Sequence, residues 1–282
     1  MKARLNIIMG ALLFSTGGVA IKAVTLTGWQ ISSLRCLVAA ITLLLVLPSA
    51  RNNWTWRSFI VAIPYAATFT LYTFANKYTT AANAIFLQGT APLYILLLGP
   101  VLLNEKIGRR DLIFFASMIV GLLLIFTSNG EPSLTATHPT LGNLLATCAG
   151  VTWALTIVGL RWLAVRSQYF DDRPATAVVG GSFLTFFFCG FFSFPMEPVA
   201  VMDGLIIVYL GVFQIALAYV FVTHGIRDVP ALESSLLLLV EPLFSPVWAW
   251  VILGEGLEVI VILGGMLIIL ATVLYVVRRA AA

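Results

Sequence analysis

The sequence predicts an all-α integral membrane protein in which ten transmembrane helices form two inverted five-helix repeats around a central cavity. Three observations carry that expectation. The 282 residues are 60% hydrophobic and 10% charged; soluble domains run at roughly 45–50% apolar and about 25% charged, and no soluble fold of this length hides such an excess of apolar surface. Ten apolar runs reach or approach the roughly 20 residues that a helix needs to cross the hydrocarbon core. The second half of the chain repeats features of the first at a fixed offset.

In order, the runs are Leu5–Val24, Trp29–Leu47, Ser58–Asn76, Ala82–Leu103, Asp111–Thr127, Leu141–Trp162, Ala175–Phe194, Leu205–His224, Leu232–Leu253 and Glu258–Val277. Turn-forming punctuation separates them, as in Pro48-Ser49, Gly108-Arg109-Arg110, Asn129-Gly130-Glu131-Pro132 and Asp171-Asp172-Arg173-Pro174. A membrane barrel is excluded, because it requires short alternating segments. The first run follows Lys2 and Arg4, as a signal peptide would, but it lacks a small-residue cleavage site and is read as a retained helix. Cys36, Cys148 and Cys189 all lie inside apolar runs at spacings that suit neither zinc nor a disulfide framework, and are expected as small core residues.

Charge sets the orientation. With the N-terminus in the cytoplasm, thirteen of the 16 Lys and Arg fall on the inner side, only Lys22 and Lys77 fall on the outer side, and Arg35 sits within the second span. That bias predicts both termini inside an inner membrane and an even helix count. The formal net charge of +4 is distributed along helix ends and forms no patch, so it does not suggest nucleic acid.

The halves are residues 1–130 and 131–282. At an offset of 150, Lys77 meets Arg227, Ala81 meets Ala231, Leu87 meets Leu237, Pro92 meets Pro242 and Glu105 meets Glu255; at 139, Lys22 meets Arg161. An odd number of spans per half turns the halves opposite ways. Inverted repeats of this kind are a feature of carriers that place the ligand between the halves near mid-membrane. One chain then contains both halves, which predicts a monomer whose partners are a small-molecule substrate and the lipid bilayer.

The stretches Tyr209-Leu210-Gly211-Val212-Phe213, Ala216 to Tyr219, Leu236 to Pro242 and Gly254-Glu255 resemble the second repeat of the EamA-like family, within the drug/metabolite transporter superfamily. The first half is similar at Tyr78-Thr79-Thr80-Ala81, Ala91-Pro92-Leu93 and Asn104-Glu105, with Asn104 where the family more often has glycine. The resemblance implies a ten-helix basket that exports amino acids or other metabolites by alternating access, with drug-like or nucleotide-sugar-like cargo as the alternative.

Glu241 is the leading site candidate, because it lies near the middle of the ninth span, where insertion scales put a charge at roughly 2.5–3.5 kcal/mol. It is expected to contact a cargo amine or act as a proton-sensitive gate, against the plainer reading of a hydrogen-bonded packing group. Gln88, Thr90 and Tyr94 face it from the fourth span and suit a zwitterionic or mixed cargo. Trp153, Tyr72, Tyr78, Gln214 and Tyr219, together with Phe86, are candidate cavity walls, although aromatics in spans more often pack or anchor at the interface. Pro92, Pro100, Pro242 and Pro246 are candidate hinges. His224 and Lys77 are candidate pH-sensitive or gating charges, and Lys22 either gates or reaches to the headgroups. Arg35 is expected to pair with a carboxylate or carbonyl, or to reach the outer headgroups. Glu105 and Glu255 oppose their helix dipoles, so each is expected to bond a basic group or the start of the next helix.

No Walker loop, H-E-x-x-H or G-x-S-x-G motif occurs, and no catalytic, metal or cofactor site is expected. A membrane enzyme would need an acid–base partner beside Glu241, and Glu233, eight residues away in sequence, is too distant along a helix.

Overall fold

The computed structural model describes residues 2–95, 97, 109–127, 136–167, 173–229, 231–256 and 258–280, and among them there is no β-strand. Seven described helices are long and apolar enough to cross a membrane: Lys2–Ala23, Gly28–Val46, Trp56–Tyr78, Pro139–Arg166, Pro174–Phe191, Val201–Gly225 and Glu233–Leu253. Shorter apolar helical stretches occupy Ala116–Ile125 and Val259–Ala271.

Helix starts follow capping chemistry. Thr27, Thr55 and Thr80 accept backbone N–H bonds from Gln30, Ser58 and Asn83 and so begin α3 (Gly28–Val46), α4 (Trp56–Tyr78) and α5 (Ala81–Gln88). Pro139 and Pro174 open α7 (Pro139–Arg166) and α8 (Pro174–Phe191), where the missing N–H costs nothing. Between them in sequence, α6 (Arg109–Thr127) packs on α13 (Val259–Ala280). A Cβ on Gly121 would lie 2.6 Å from Ile268 Cγ1, and one on Gly264 would lie 2.9 Å from Ile125 Cγ1. That register makes the pair antiparallel, and only small residues permit the approach.

Four spans expected to be regular α-helices throughout are not. The first breaks between α1 (Lys2–Phe14) and α2 (Gly17–Ala23), where the Ser15 and Thr16 hydroxyls donate to the Leu12 and Leu13 carbonyls at 2.7 and 2.9 Å. The eighth runs as α9 (Val201–Tyr209), a π-helical stretch (Leu210–Leu217) and α10 (Ala218–Gly225). The fourth breaks after Gln88, and the ninth breaks between α11 (Ala231–Leu237) and α12 (Val240–Leu253).

Polarity is inverted relative to a soluble protein. Phe191 and Val201 are 76% and 83% exposed, whereas Arg35, Asp203, Glu241 and Glu255 are buried. Cys36 and Cys189 are buried but Cys148 is exposed, which corrects the expectation for that residue. In a bilayer an apolar residue gains nothing by facing inward, so an apolar context does not imply core.

Candidate functional site

The fourth and ninth spans break for one reason and meet at their breaks. Proline has no N–H, and its ring clashes with the carbonyl four residues back. For Pro92 that carbonyl belongs to Gln88, and for Pro242 it belongs to Leu238. Each helix therefore yields just before its proline. The Thr90 and Leu93 N–H groups reach only three residues back, to the Leu87 and Thr90 carbonyls at 3.3 and 2.9 Å, and the Leu238 carbonyl likewise accepts from the Glu241 N–H at 3.0 Å. The two breaks touch: a Cβ on Gly89 would lie 3.7 Å from Pro242 Cγ. Helix α7 closes over them at Gly150, where a Cβ would lie 3.1 Å from the Leu87 carbonyl oxygen and 3.2 Å from that of Gln88.

A small cavity sits at this crossing, walled by Gln88, Pro92, Trp153, Ser235, Glu241 and Pro242, with Ile85, Ile157 and Leu238 among its apolar lining. Its free space is about 20 Å³, room for one water. Ligand pockets run at roughly 300–1,000 Å³, so this cavity as it stands is too small to hold a cargo molecule. The Glu241 side chain has no hydrogen-bond or ion-pair partner among the described residues, and neither has Gln88 Oε1.

The other expected site residues are distributed around this point. Tyr219 packs in an aromatic cluster with Phe14 and Tyr65, ring centroids 5.2 Å from each, and its buried hydroxyl is unpartnered, as is that of Tyr72. Gln214 lies in the π-helical stretch against the break in the first span: a Cβ on Gly17 would lie 2.7 Å from Gln214 Nε2. Tyr94 is half-buried beside the core, and the Thr90 hydroxyl is committed to the Leu87 carbonyl at 2.6 Å. Phe86 packs on Gly265. Pro246 is buried one turn beyond Pro242. Pro100 and Glu105 lie outside the described residues.

Tyr78, Lys77 and His224 stand away from the cavity. Tyr78 ends α4 edge-on to His138, ring centroids 5.8 Å apart. Lys77 Nζ donates to the Val24 carbonyl at 2.6 Å. His224 is exposed, with Nδ1 2.6 Å from the Val220 carbonyl oxygen, one turn back on its own helix.

At the bundle end that holds Lys77, Lys22 Nζ and Glu255 Oε1 form an ion pair at 2.9 Å that is almost completely enclosed. Gly254, at φ +66°, turns the chain after α12, and Glu255 Oε2 accepts the Ala81 N–H at 3.0 Å. One carboxylate thus ties the first, fourth and ninth spans together. Glu255 does bond a basic group, and the helix start it bonds belongs to α5 rather than to the next helix. Beside it, Asp203 accepts from the Thr25 N–H and hydroxyl at 3.0 and 2.6 Å. At the opposite end Arg161 donates to the Ile226 carbonyl at 2.7 Å and to that of Arg227, and Arg4 pairs with Glu233 at 2.5 Å in solvent.

The sequence pattern of the EamA-like transporter family matches residues 1–127 and 140–277. An uncharacterized transporter of Clostridium kluyveri is 22% identical, over 97% of this chain and 92% of its own length. The uncharacterized transporter YetK of Bacillus subtilis is 25% identical, over 83% of this chain and 73% of its own length. A solved crystal structure has the same fold, with a TM-score of 0.68, 18% identity and coverage of 99% of both chains.

Proposed function

We infer the activity from the premise that this chain belongs to the EamA-like transporter family and is a multi-pass membrane transporter of the drug/metabolite transporter superfamily. We propose that it is a secondary transporter of small metabolites, amino acids foremost, working by alternating access as a monomer in the inner membrane with both termini cytoplasmic. The observation that carries this reading is the meeting of two proline-broken helices at a cavity holding an unpartnered buried carboxylate, Glu241. Discontinuous helices with freed backbone groups are how carriers build mid-membrane sites.

The ten-helix count and the inverted halves, 1–130 and 131–282, belong to the same proposal. Helix α4 packs on α7 and α8, while the π-helical stretch of the eighth span packs on α1 and α3 and α10 packs on α1. Exchanging the halves turns each set of partners into the other. The pairs α3 with α8, α5 with α12 and α6 with α13 map onto themselves. The two matched family segments, 1–127 and 140–277, support the same division.

In this scheme the structure is a closed state. Pro92 and Pro242 leave backbone free to bend, and the buried Lys22–Glu255 pair holds shut the end that the charge bias assigns to the outside. The test is counterflow in liposomes containing the purified protein, across amino acids, nucleosides and cationic drugs. Saturable exchange of an amino acid is expected; no counterflow across the panel contradicts transport, and exchange of drugs alone contradicts the cargo class.

A further inference from the structure

Glu241 is buried, and the basic side chains around it are committed elsewhere. Helix α12 packs on α1, α2 and α5. Of these, α5 carries no basic residue, Lys22 of α2 is paired with Glu255 at 2.9 Å, and on α1 Arg4 is paired with Glu233 while Lys2 is exposed. Helix α7 supplies Trp153 and Ile157 to the cavity wall; its Arg161 donates to the Ile226 and Arg227 carbonyls, and its Arg166 lies 5.5 Å from the centroid of the Trp162 ring. Arg35 of α3, the other deep charge, does not line the cavity. Its Nη2 donates to the Phe69 carbonyl at 2.9 Å and the Thr73 hydroxyl at 2.7 Å, while Nε and Nη1 have no acceptor among the described residues. An ionised carboxylate enclosed without a cation is costly, so Glu241 calls for one from outside the chain.

The cavity beside Glu241 limits what that cation is. Its free space of about 20 Å³ admits one water or one bare ion, not an organic ammonium. Its wall brings oxygen: the Glu241 carboxylate, the Ser235 hydroxyl and the Gln88 amide, whose Oε1 has no partner among the described residues. At the same break Pro92 deprives the Gln88 backbone carbonyl of its helical donor. Helices α5 and α11 both end here, each with the carbonyl end of its dipole. A water fills the space but leaves the charge. A proton cancels the charge but leaves the space, and offers the remaining oxygens a single donor. A small hard cation meets all three needs, because it neutralises the carboxylate, fills the gap and draws on several oxygens at once. One carboxylate balances one charge, and among the described residues no three His, Cys, Asp or Glu gather as a multivalent metal prefers.

We propose that the crossing of the two broken helices is a sodium site, with Glu241 as its anionic ligand and Gln88 as a neutral one, and that sodium binding there is coupled to cargo movement. The ion joins the fourth span to the ninth beside the contact of Gly89 with Pro242, and so braces the two breaks that bend during transport. This rests on the transport reading above and adds to it the gradient that drives the cycle.

The probe is the sodium ion itself. Thermal unfolding of the purified full-length protein is compared in sodium chloride and in choline chloride at equal ionic strength and pH, and a sodium gradient is imposed on liposomes holding labelled amino acids. Wild-type protein is expected to show a saturable rise of unfolding temperature with sodium, and net movement of a transported amino acid driven by the sodium gradient alone. Glu241→Gln is expected to lose both responses, and Gln88→Leu to raise the sodium concentration of half effect about 10-fold. Equal unfolding temperatures of the wild type in the two salts, or an undiminished sodium response in Glu241→Gln, overturn the site. Movement driven by a pH gradient but not by sodium, with pH-independent exchange by Glu241→Gln, assigns the charge to a proton and overturns the site while leaving transport standing. A sodium response in unfolding without exchange of any solute keeps the site but overturns the transport reading, and the coupling with it.

Discussion

Glu241 lies within the ninth span and Glu255 just past its end, and the two are equally enclosed, each 6% exposed, yet their surroundings are opposite. Glu255 is met by Lys22 at 2.9 Å and by the Ala81 N–H at 3.0 Å. Glu241 has neither an ion-pair nor a hydrogen-bond partner among the described residues, and lies beside the gap where two helices break. A paired buried carboxylate holds elements together; an unpaired one is a cost that the fold carries and that something else must offset. The difference separates fastening from function within fourteen residues of sequence.

The largest effect is expected at the fastening. Glu255→Gln leaves Lys22 buried without its counter-charge and should destabilise the protein by about 3–5 kcal/mol, read as a lower thermal unfolding temperature in detergent. The paired replacement Lys22→Met with Glu255→Leu should recover much of that loss. If the single change is silent, the two carboxylates are not different in kind. Next comes the packing that keeps the breaks closed. Gly150→Val drives side-chain atoms into the Leu87 and Gln88 carbonyls and should cost about 1–3 kcal/mol on the same assay. For Glu241→Gln the comparison predicts the reverse pattern, with stability kept or raised and counterflow of the amino-acid cargo reduced at least tenfold. Smallest is the pair at the other end of the bundle. Arg4→Ala, at an exposed contact with Glu233, should leave the unfolding temperature unchanged within error.

Much of this was legible in the sequence, and the exceptions share a physical cause. Described helices begin within two residues of the expected starts at Trp29, Ser58, Ala82, Leu141 and Ala175, because threonine caps and first-turn prolines are local signals. Pro92 and Pro242 marked the breaks, since a missing donor disrupts its own helix wherever the helix packs. The break at Ser15–Thr16 and the π-helical stretch around Gln214 were not visible. They arise where two spans press together, and periodicity carries no record of that. The Lys22–Glu255 pair joins residues from opposite ends of the chain, so spacing could only suggest that each needed a partner. Arg35 was legible as a deep charge, but its idle donors were not, because they depend on what α4 presents to it. Tyr78 is suggested as a cavity wall by residue type alone, and the end of α4 places it at a rim beside His138, whereas His224 lies at the end of its helix as the sequence implies.

The most direct test of the difference between the two carboxylates is to measure thermal stability and amino-acid counterflow together for Glu241→Gln and Glu255→Gln, in the same detergent and the same liposomes. The predicted result is a crossed one: Glu241→Gln as stable as wild type or more so but nearly inactive, and Glu255→Gln clearly less stable. A Glu241→Gln protein that exchanges amino acids at the wild-type rate, or that unfolds as easily as Glu255→Gln, would contradict it.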